Sequence, residues 1–254
     1  MSRFEGKTVV VTGAGSGIGA ATAIRFASEG ANVVLAGRTR SKLEETAAAI
    51  GNDRTLVVAA DVAQWDEAQA LAAAALERFG AVDVLVNNAG TADMGLVDEI
   101  EIDAWHKVIE TNVDGVFLVT RAFWDALKQS KGNVVNLSSV SGIGGDWEMF
   151  AYNASKGAVS NMTRALALDI RKTGVRVNAV APSLTATDMA SGVLGKEETK
   201  AKFFERIPMG RAAEPAEIAA AIAFLASDDA GFVNGVVLPV DGGVSASNGQ
   251  PPLR

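Results

Sequence analysis

The chain has 254 residues, 48% of them hydrophobic, and a formal net charge of −7, enough apolar material for a sizeable core in one α/β domain. The acidic balance, with no block of like charges, argues against a nucleic-acid partner and against an anionic membrane surface. With no cysteine and a single histidine, His106, disulfides, thiolate nucleophiles and multi-histidine metal sites are excluded.

The opening MSRFEGKTVVVTG has no charged segment followed by an apolar core and cleavage site. No apolar run reaches the ~18 residues of a spanning helix, so a soluble cytoplasmic protein is expected. Short β-branched runs then alternate with longer alanine-rich amphipathic segments. Strands are predicted over 8–12, 32–36, 55–60, 83–86, 133–137, 175–180 and 236–240. Helices are predicted over 18–29, 65–79, 103–129, 151–172 and 215–226. This is the pattern of a doubly wound parallel sheet of about seven strands with helices on both faces. No Pro/Ser-rich linker interrupts it, so residues 1–254 are read as one domain. Two segments break the rhythm: 183–204, polar and glycine-containing, is expected to form a mobile lid over the sheet's carboxyl edge. The polar tail 245–254 is expected to be loose or docked on a partner subunit.

After the first predicted strand comes TGAGSGIGAATAIRFASEG. Gly13, Gly15, Gly17 and Gly19, with Ser16 and Ile18 between them, allow a tight turn that brings backbone N–H groups to a pyrophosphate at a helix start. The alternative is a packing turn without a ligand. About 20 residues on, the second strand should present the group that reads the adenosine ribose. Gly37 and then Arg38 stand there, with Arg40 and Lys42 nearby and no carboxylate, which favours NADP(H) and leaves NAD(H) open. Tyr152, the only tyrosine, precedes Lys156 by four positions, so the two share a helix face.

These motifs resemble the short-chain dehydrogenase/reductase family over nearly the whole chain, and within it the bacterial β-ketoacyl-acyl-carrier-protein reductases. TGAGSGIG is similar to the family's T-G-x-x-x-G-x-G turn, NNAG (Asn87, Asn88, Ala89, Gly90) to its sheet-stabilising motif, and Tyr152/Lys156 to its Y-x-x-x-K. Asn112 in ETNVDG matches the family's helix asparagine, and Ser139 in VVNLSSVSG its catalytic serine. The resemblance implies a Rossmann fold and an NAD(P)-dependent oxidoreductase acting on a carbonyl or an alcohol. It further implies that Tyr152 exchanges a proton with the substrate oxygen, Ser139 orients that oxygen, and Lys156 also bonds the nicotinamide ribose. Asn112 would hold a water that links Lys156 to solvent. Asp61 and Val62 resemble the adenine-binding pair. NAVAPSLTATDM, with Pro182, Ser183, Thr185 and Thr187, resembles the segment beside the nicotinamide. Ser183 stands where relatives carry glycine, and Ser16 where NADP-preferring relatives often carry a basic residue. The phenol of Tyr152, ordinarily near ~10, is expected to be drawn toward working pH by the Lys156 ammonium.

Trp147, Met149 and Phe150, with Met189, Val193, Leu194 and Phe203 from the lid, are read as an apolar substrate pocket. That points to a hydrophobic or aromatic ketone or secondary alcohol, with a β-ketoacyl ester as the alternative. Ser138 and Ser141 are weaker candidates for the role of Ser139, and His106 is given no chemistry. By resemblance, the helices of 103–129 and 151–172 pair across a two-fold axis, and the last helix and strand complete a homotetramer. Two other function classes compete: a non-catalytic dinucleotide sensor, and an enzyme that uses the cofactor for epimerisation or dehydration.

Overall fold

The structure is a computed structural model and describes residues 2–51 and 53–250. Its seven strands are Thr8–Thr12 (β1), Asn32–Gly37 (β2), Thr55–Ala59 (β3), Val84–Asn87 (β4), Asn133–Leu137 (β5), Arg176–Pro182 (β6) and Val237–Val240 (β7). They form one parallel sheet in the order β3-β2-β1-β4-β5-β6-β7. The valine runs are short and uniformly apolar because both sheet faces are covered. In β1, Val9 and Val11 enter one core with Phe26, Ile218 and Ile222, and Val10 enters the other with Leu71, Phe123 and Leu127.

The helices are Gly17–Ser28 (α1), Arg40–Ile50 (α2), Trp65–Phe79 (α3), Ile102–Ile109 (α4), Gly115–Ser130 (α5), Phe150–Asp169 (α6), Ser191–Leu194 (α7), Glu197–Arg206 (α8) and Pro215–Ala226 (α9). α1 and α9 pack together on one face, and α3 and α5 on the other. Proline at the first position and the reciprocal Glu214–Glu217 capping box start α9.

The structure differs from the sequence expectations at four points. The predicted 103–129 helix is interrupted by a π turn at Glu110–Asp114. Helix α2 was not predicted; its polar sequence buries only Leu43 and Thr46. The lid segment contains α7 and α8, neither of which buries a residue. Strand β6 runs on to Pro182. In the tail, a short turn at Val244–Ala246 precedes exposed chain up to residue 250; 251–254 lie outside the described residues. Among the described residues no helix is long and apolar enough to cross a membrane.

A parallel sheet gathers all its strand ends on one edge. The order reverses between β1 and β4, which opens a crevice beyond their carboxyl ends. Beneath it runs a buried amide ladder: Asn87 Nδ2 donates to Thr120 Oγ1 and to Asn136 Oδ1, both at 2.9 Å, and Asn136 Nδ2 to Thr163 Oγ1 at 2.9 Å. It ties β4 and β5 to α5 and α6.

Candidate active site

The glycine-rich turn lies against the loop that follows β4. A Cβ on Gly13 would come within 2.8 Å of Asn88 Nδ2, and one on Gly19 within 2.1 Å of the Gly13 carbonyl oxygen. Thr12 Oγ1 accepts from the N–H groups of Asn88 and Ala89, both at 3.0 Å, while Asn88 Nδ2 donates to the carbonyls of Thr12 (2.9 Å) and Gly13 (3.2 Å). At the start of α1, Ser16 is extended, its side chain makes no capping bond, and no acidic residue occupies the first turn. The first-turn N–H groups, of Gly17, Ile18 and Gly19, therefore face outward with the positive end of the helix dipole.

At the end of β2, Arg38 is exposed and makes no ion pair among the described residues. Its neighbours do: Arg40 with Glu44 at 3.6 Å and Lys42 with Asp188 at 3.7 Å. Beyond β3, Asp61 Oδ1 accepts from Ala63 N–H at 3.0 Å, and Val62 is buried where a Cβ on Gly115 would meet it at 2.7 Å. Uncapped amides, a free guanidinium and the lack of a carboxylate after β2 fit a dinucleotide, and fit one with a 2′-phosphate.

On the other side of the crevice, Tyr152 and Lys156 share a face of α6. The Lys156 ammonium lies 5.6 Å from the centre of the Tyr152 ring and donates to the Leu137 carbonyl at 2.7 Å. Burial brings Lys156 down to about 8. Burial also pushes Tyr152 up to about 12; a hydrogen bond with Ser139 opposes this, and the charge of Asp146 adds to it. The lowering of the phenol expected from Lys156 is not found: burial dominates the shift, and the group that opposes it is Ser139, not the Lys156 ammonium. Ser139, also buried, accepts from Ser141 N–H at 3.2 Å and donates to Ser141 Oγ at 3.0 Å.

Asn112 sits in the π turn, wholly buried. Its Oδ1 accepts from Thr91 N–H (2.8 Å), and its Nδ2 donates to Thr91 O (2.8 Å) and Ser155 Oγ (2.9 Å). Three of its four hydrogen-bonding positions are thus filled by protein. A Cβ on Gly90 would come within 3.3 Å of Asn112 Oδ1 and 3.6 Å of Lys156 Nζ.

After β6, Ser183 Oγ donates to the Asp241 carbonyl at 3.0 Å, Thr185 Oγ1 to Ser183 O at 3.0 Å and Thr187 Oγ1 to Thr185 O at 3.4 Å. Ser183 in place of glycine thus ties the end of β6, at Pro182, to the turn after β7. Thr187 faces the glycine turn: a Cβ on Gly17 would meet its Cγ2 at 3.0 Å.

Of the expected apolar pocket, Trp147, Met189 and Phe203 are exposed, Val193 and Leu194 half-buried, and Phe150 turns toward α4, its ring 5.9 Å from that of Trp105. Met149 is bridged to Gly95, which brings the exposed Met94, Leu96 and Val97 alongside. Sequence reasoning missed these three and also Asp146; the apolar run of MGLV soon after NNAG was the available signal.

A family model described as enoyl-(acyl carrier protein) reductase matches residues 13–245. The chain is 47% identical over 251 residues to a meso-2,3-butanediol dehydrogenase of Serratia marcescens, covering 99% of each. It is 43% identical to an L-tagatose-forming galactitol 2-dehydrogenase of Cereibacter sphaeroides, over 95% of this chain and 96% of that one. Among solved structures, levodione reductase superposes with a TM-score of 0.92 at 36% identity, over 96% of this chain and 99% of that one. Motif, fold and relatives agree: the chain belongs to the short-chain dehydrogenase/reductase family of NAD(P)-dependent oxidoreductases.

Proposed function

We propose that this oxidoreductase interconverts a ketone and a secondary alcohol, prefers NADP(H) to NAD(H), and uses Tyr152 as general acid and base. The observation that carries the reading is the convergence of Tyr152, Lys156 and Ser139 at the crevice beside the uncapped start of α1. A phenol that keeps its proton up to about 12 is ready to donate to a carbonyl oxygen during reduction. In oxidation the same oxygen takes the proton back, with the Lys156 ammonium as the cation beside it. When bound, the nicotinamide supplies the hydride and, oxidised, a positive charge that favours the phenolate.

The residues of the chain divide the remaining tasks. First-turn amides of α1 hold the pyrophosphate, Arg38 the 2′-phosphate, and Asp61 with Val62 the adenine. Asn88, Ala89 and Gly90 line the middle of the crevice, and Pro182, Ser183, Thr185 and Thr187 the nicotinamide half. Lys156 reaches the ribose, and Asn112 holds a water that connects it to solvent.

The exposed Trp147, Met189 and Phe203 support a hydrophobic ketone or secondary alcohol, or a β-ketoacyl ester, with 183–204 closing as a lid. A second reading, a small vicinal diol, is favoured by the 47% identity to a protein named for 2,3-butanediol. Absorbance of the reduced cofactor tests these readings with NADPH and NADH against 2,3-butanediol, lipophilic ketones and a β-ketoacyl thioester. Turnover of the diol alone would discard the hydrophobic reading. Saturable cofactor binding without turnover of any partner would favour a dinucleotide sensor. We further propose a homotetramer, in which the helices that expose Phe117 and Leu168 pair across a two-fold axis and the last helix, which exposes Phe224, makes the second contact together with the last strand. A monomeric mass at micromolar concentration would refute it.

A further inference from the structure

From Asp188 to Arg206 the chain stands off the body of the molecule, although both its ends are fixed. Before the segment, Ala213 N–H donates to Leu184 O at 2.9 Å and the Ala213 carbonyl accepts from Ala186 N–H at 2.8 Å. After it, Ile207 is buried and Met209 N–H donates to Gly242 O at 3.2 Å. In between, α7 and α8 bury no residue, and two lysines of α8 are matched on the helix itself, Lys200 with Glu197 at 2.8 Å and Lys202 with Glu198 at 2.7 Å. Among the described residues, one polar contact joins this segment to a distant part of the chain: Asp188 Oδ2 lies 3.7 Å from the Lys42 ammonium.

Both partners border the glycine turn. A Cβ on Gly15 would come within 2.9 Å of Lys42 Cβ, and Thr187, next to Asp188, stands 3.0 Å from where a Cβ on Gly17 would be. The pair thus brackets Ser16, which is exposed between them. Lys42 also sits in the first turn of α2, which has no acidic residue and no side-chain cap. A cation there opposes the helix dipole, and Asp188 supplies the carboxylate that the turn lacks. We propose that Lys42 and Asp188 form a latch across the mouth of the dinucleotide crevice: closed, the pair holds residues 188–206 beside the glycine turn, and its opening gates release of the cofactor. With side chains 51% and 84% exposed, such a pair adds little to stability and is weakened by salt. That weakness suits a contact that must open in every catalytic cycle.

The inference rests on the glycine turn being the dinucleotide site, and two readouts keep the two apart. In the ligand-free protein, trypsin reads the open segment, which offers Lys196, Lys200, Lys202 and Arg206. In the complex, stopped-flow fluorescence reads release of NADH, chosen because it has no 2′-phosphate for Lys42 to meet. Asp188→Asn and Lys42→Met are each expected to speed both cleavage within the segment and NADH release by about two- to fivefold, the worth of an exposed ion pair. The double variant should be no faster than either single one, and the charge-swapped pair, K42D with D188K, should return both rates to within about twofold of wild type. Added salt should speed release from wild type more than from D188N. Unchanged release in D188N and K42M, with NADH still bound, would overturn the latch and leave the cofactor site in place. Faster cleavage without faster release would reduce the pair to a tie with no part in cofactor exchange, which overturns it too. A D188N effect confined to NADPH would mean that Asp188 competes with a 2′-phosphate for Lys42, again overturning the latch. Failure of the wild type to bind either cofactor would instead remove the dinucleotide site, and the gate with it.

Discussion

Lys156 and Tyr152 stand 5.6 Å apart, ammonium to ring centre, and burial drives both toward their neutral forms. The two groups give stability opposite pH dependences. Lys156 falls from an ordinary 10.5 to about 8, so between those values the unfolded chain binds the extra proton and stability rises with pH. Tyr152 rises from 10.0 to about 12, so above pH 10 the unfolded chain has lost a proton that the folded one keeps, and stability falls. At neutral pH the buried ammonium costs about 3 kcal/mol at 1.36 kcal/mol per pH unit. Lys156→Met is expected to stabilise the fold by roughly 2 kcal/mol at neutral pH, less than the full cost because Leu137 O loses its donor. The gain should fade toward pH 10.5, and urea melts at several pH values measure it.

Tyr152→Phe keeps the ring and removes the proton donor. The expected loss in kcat is on the order of 10²–10⁴-fold, with NADPH affinity, read by tryptophan fluorescence, within about twofold. A variant that retained a tenth of the wild-type rate would assign the proton transfer to another group.

Arg38 is the basic residue after β2 that has no ion pair among the described residues. Replacing it by alanine should lower kcat/KM for NADPH by roughly 10–100-fold, the worth of a charge-assisted hydrogen bond or two, and leave NADH nearly unchanged. Equal losses with both cofactors would remove Arg38 from the specificity site.

Gly19→Ala should cost at least ~3 kcal/mol, because its Cβ would fall 2.1 Å from the Gly13 carbonyl and the turn has backbone on that side. Thermal melts with and without NADPH would show a lower midpoint and no cofactor-induced rise.

Ser183→Gly restores the family's usual residue. It removes the 3.0 Å bond to the Asp241 carbonyl, so stability should drop by about 1 kcal/mol while kcat/KM stays within about twofold. A larger kinetic effect would mean that the hydroxyl reaches the nicotinamide half of the site.

Strands were legible in the sequence because valine runs buried on both faces leave little else for the chain to do. Motif residues were legible because Gly13, Tyr152 and Lys156 keep fixed offsets along the chain. Helix α2 was hidden by its composition: RTRSK reads as a basic loop, and one buried leucine gives too little periodicity. Helices α7 and α8 bury nothing and so carry no apolar stripe. Asp146 could not be found by spacing, since its link to Ser139 passes through the hydroxyl of a second serine, Ser141. The upward shift of Tyr152 was equally hidden, because the lysine is visible in the sequence and the loss of water around the phenol is not.

The π turn at Glu110–Asp114 has one more consequence. Each residue of an α-helix advances the azimuth by 100°, so the extra residue rotates everything after it by that amount relative to everything before. The upstream segment faces α6, while α5 faces α3 and β4. One rod of chain thereby serves two surfaces at different bearings, with Asn112 at the point where the phase changes. Deleting a single residue there would leave the helix unbroken, yet it would swing Val119 and Phe123 out of the core they now fill.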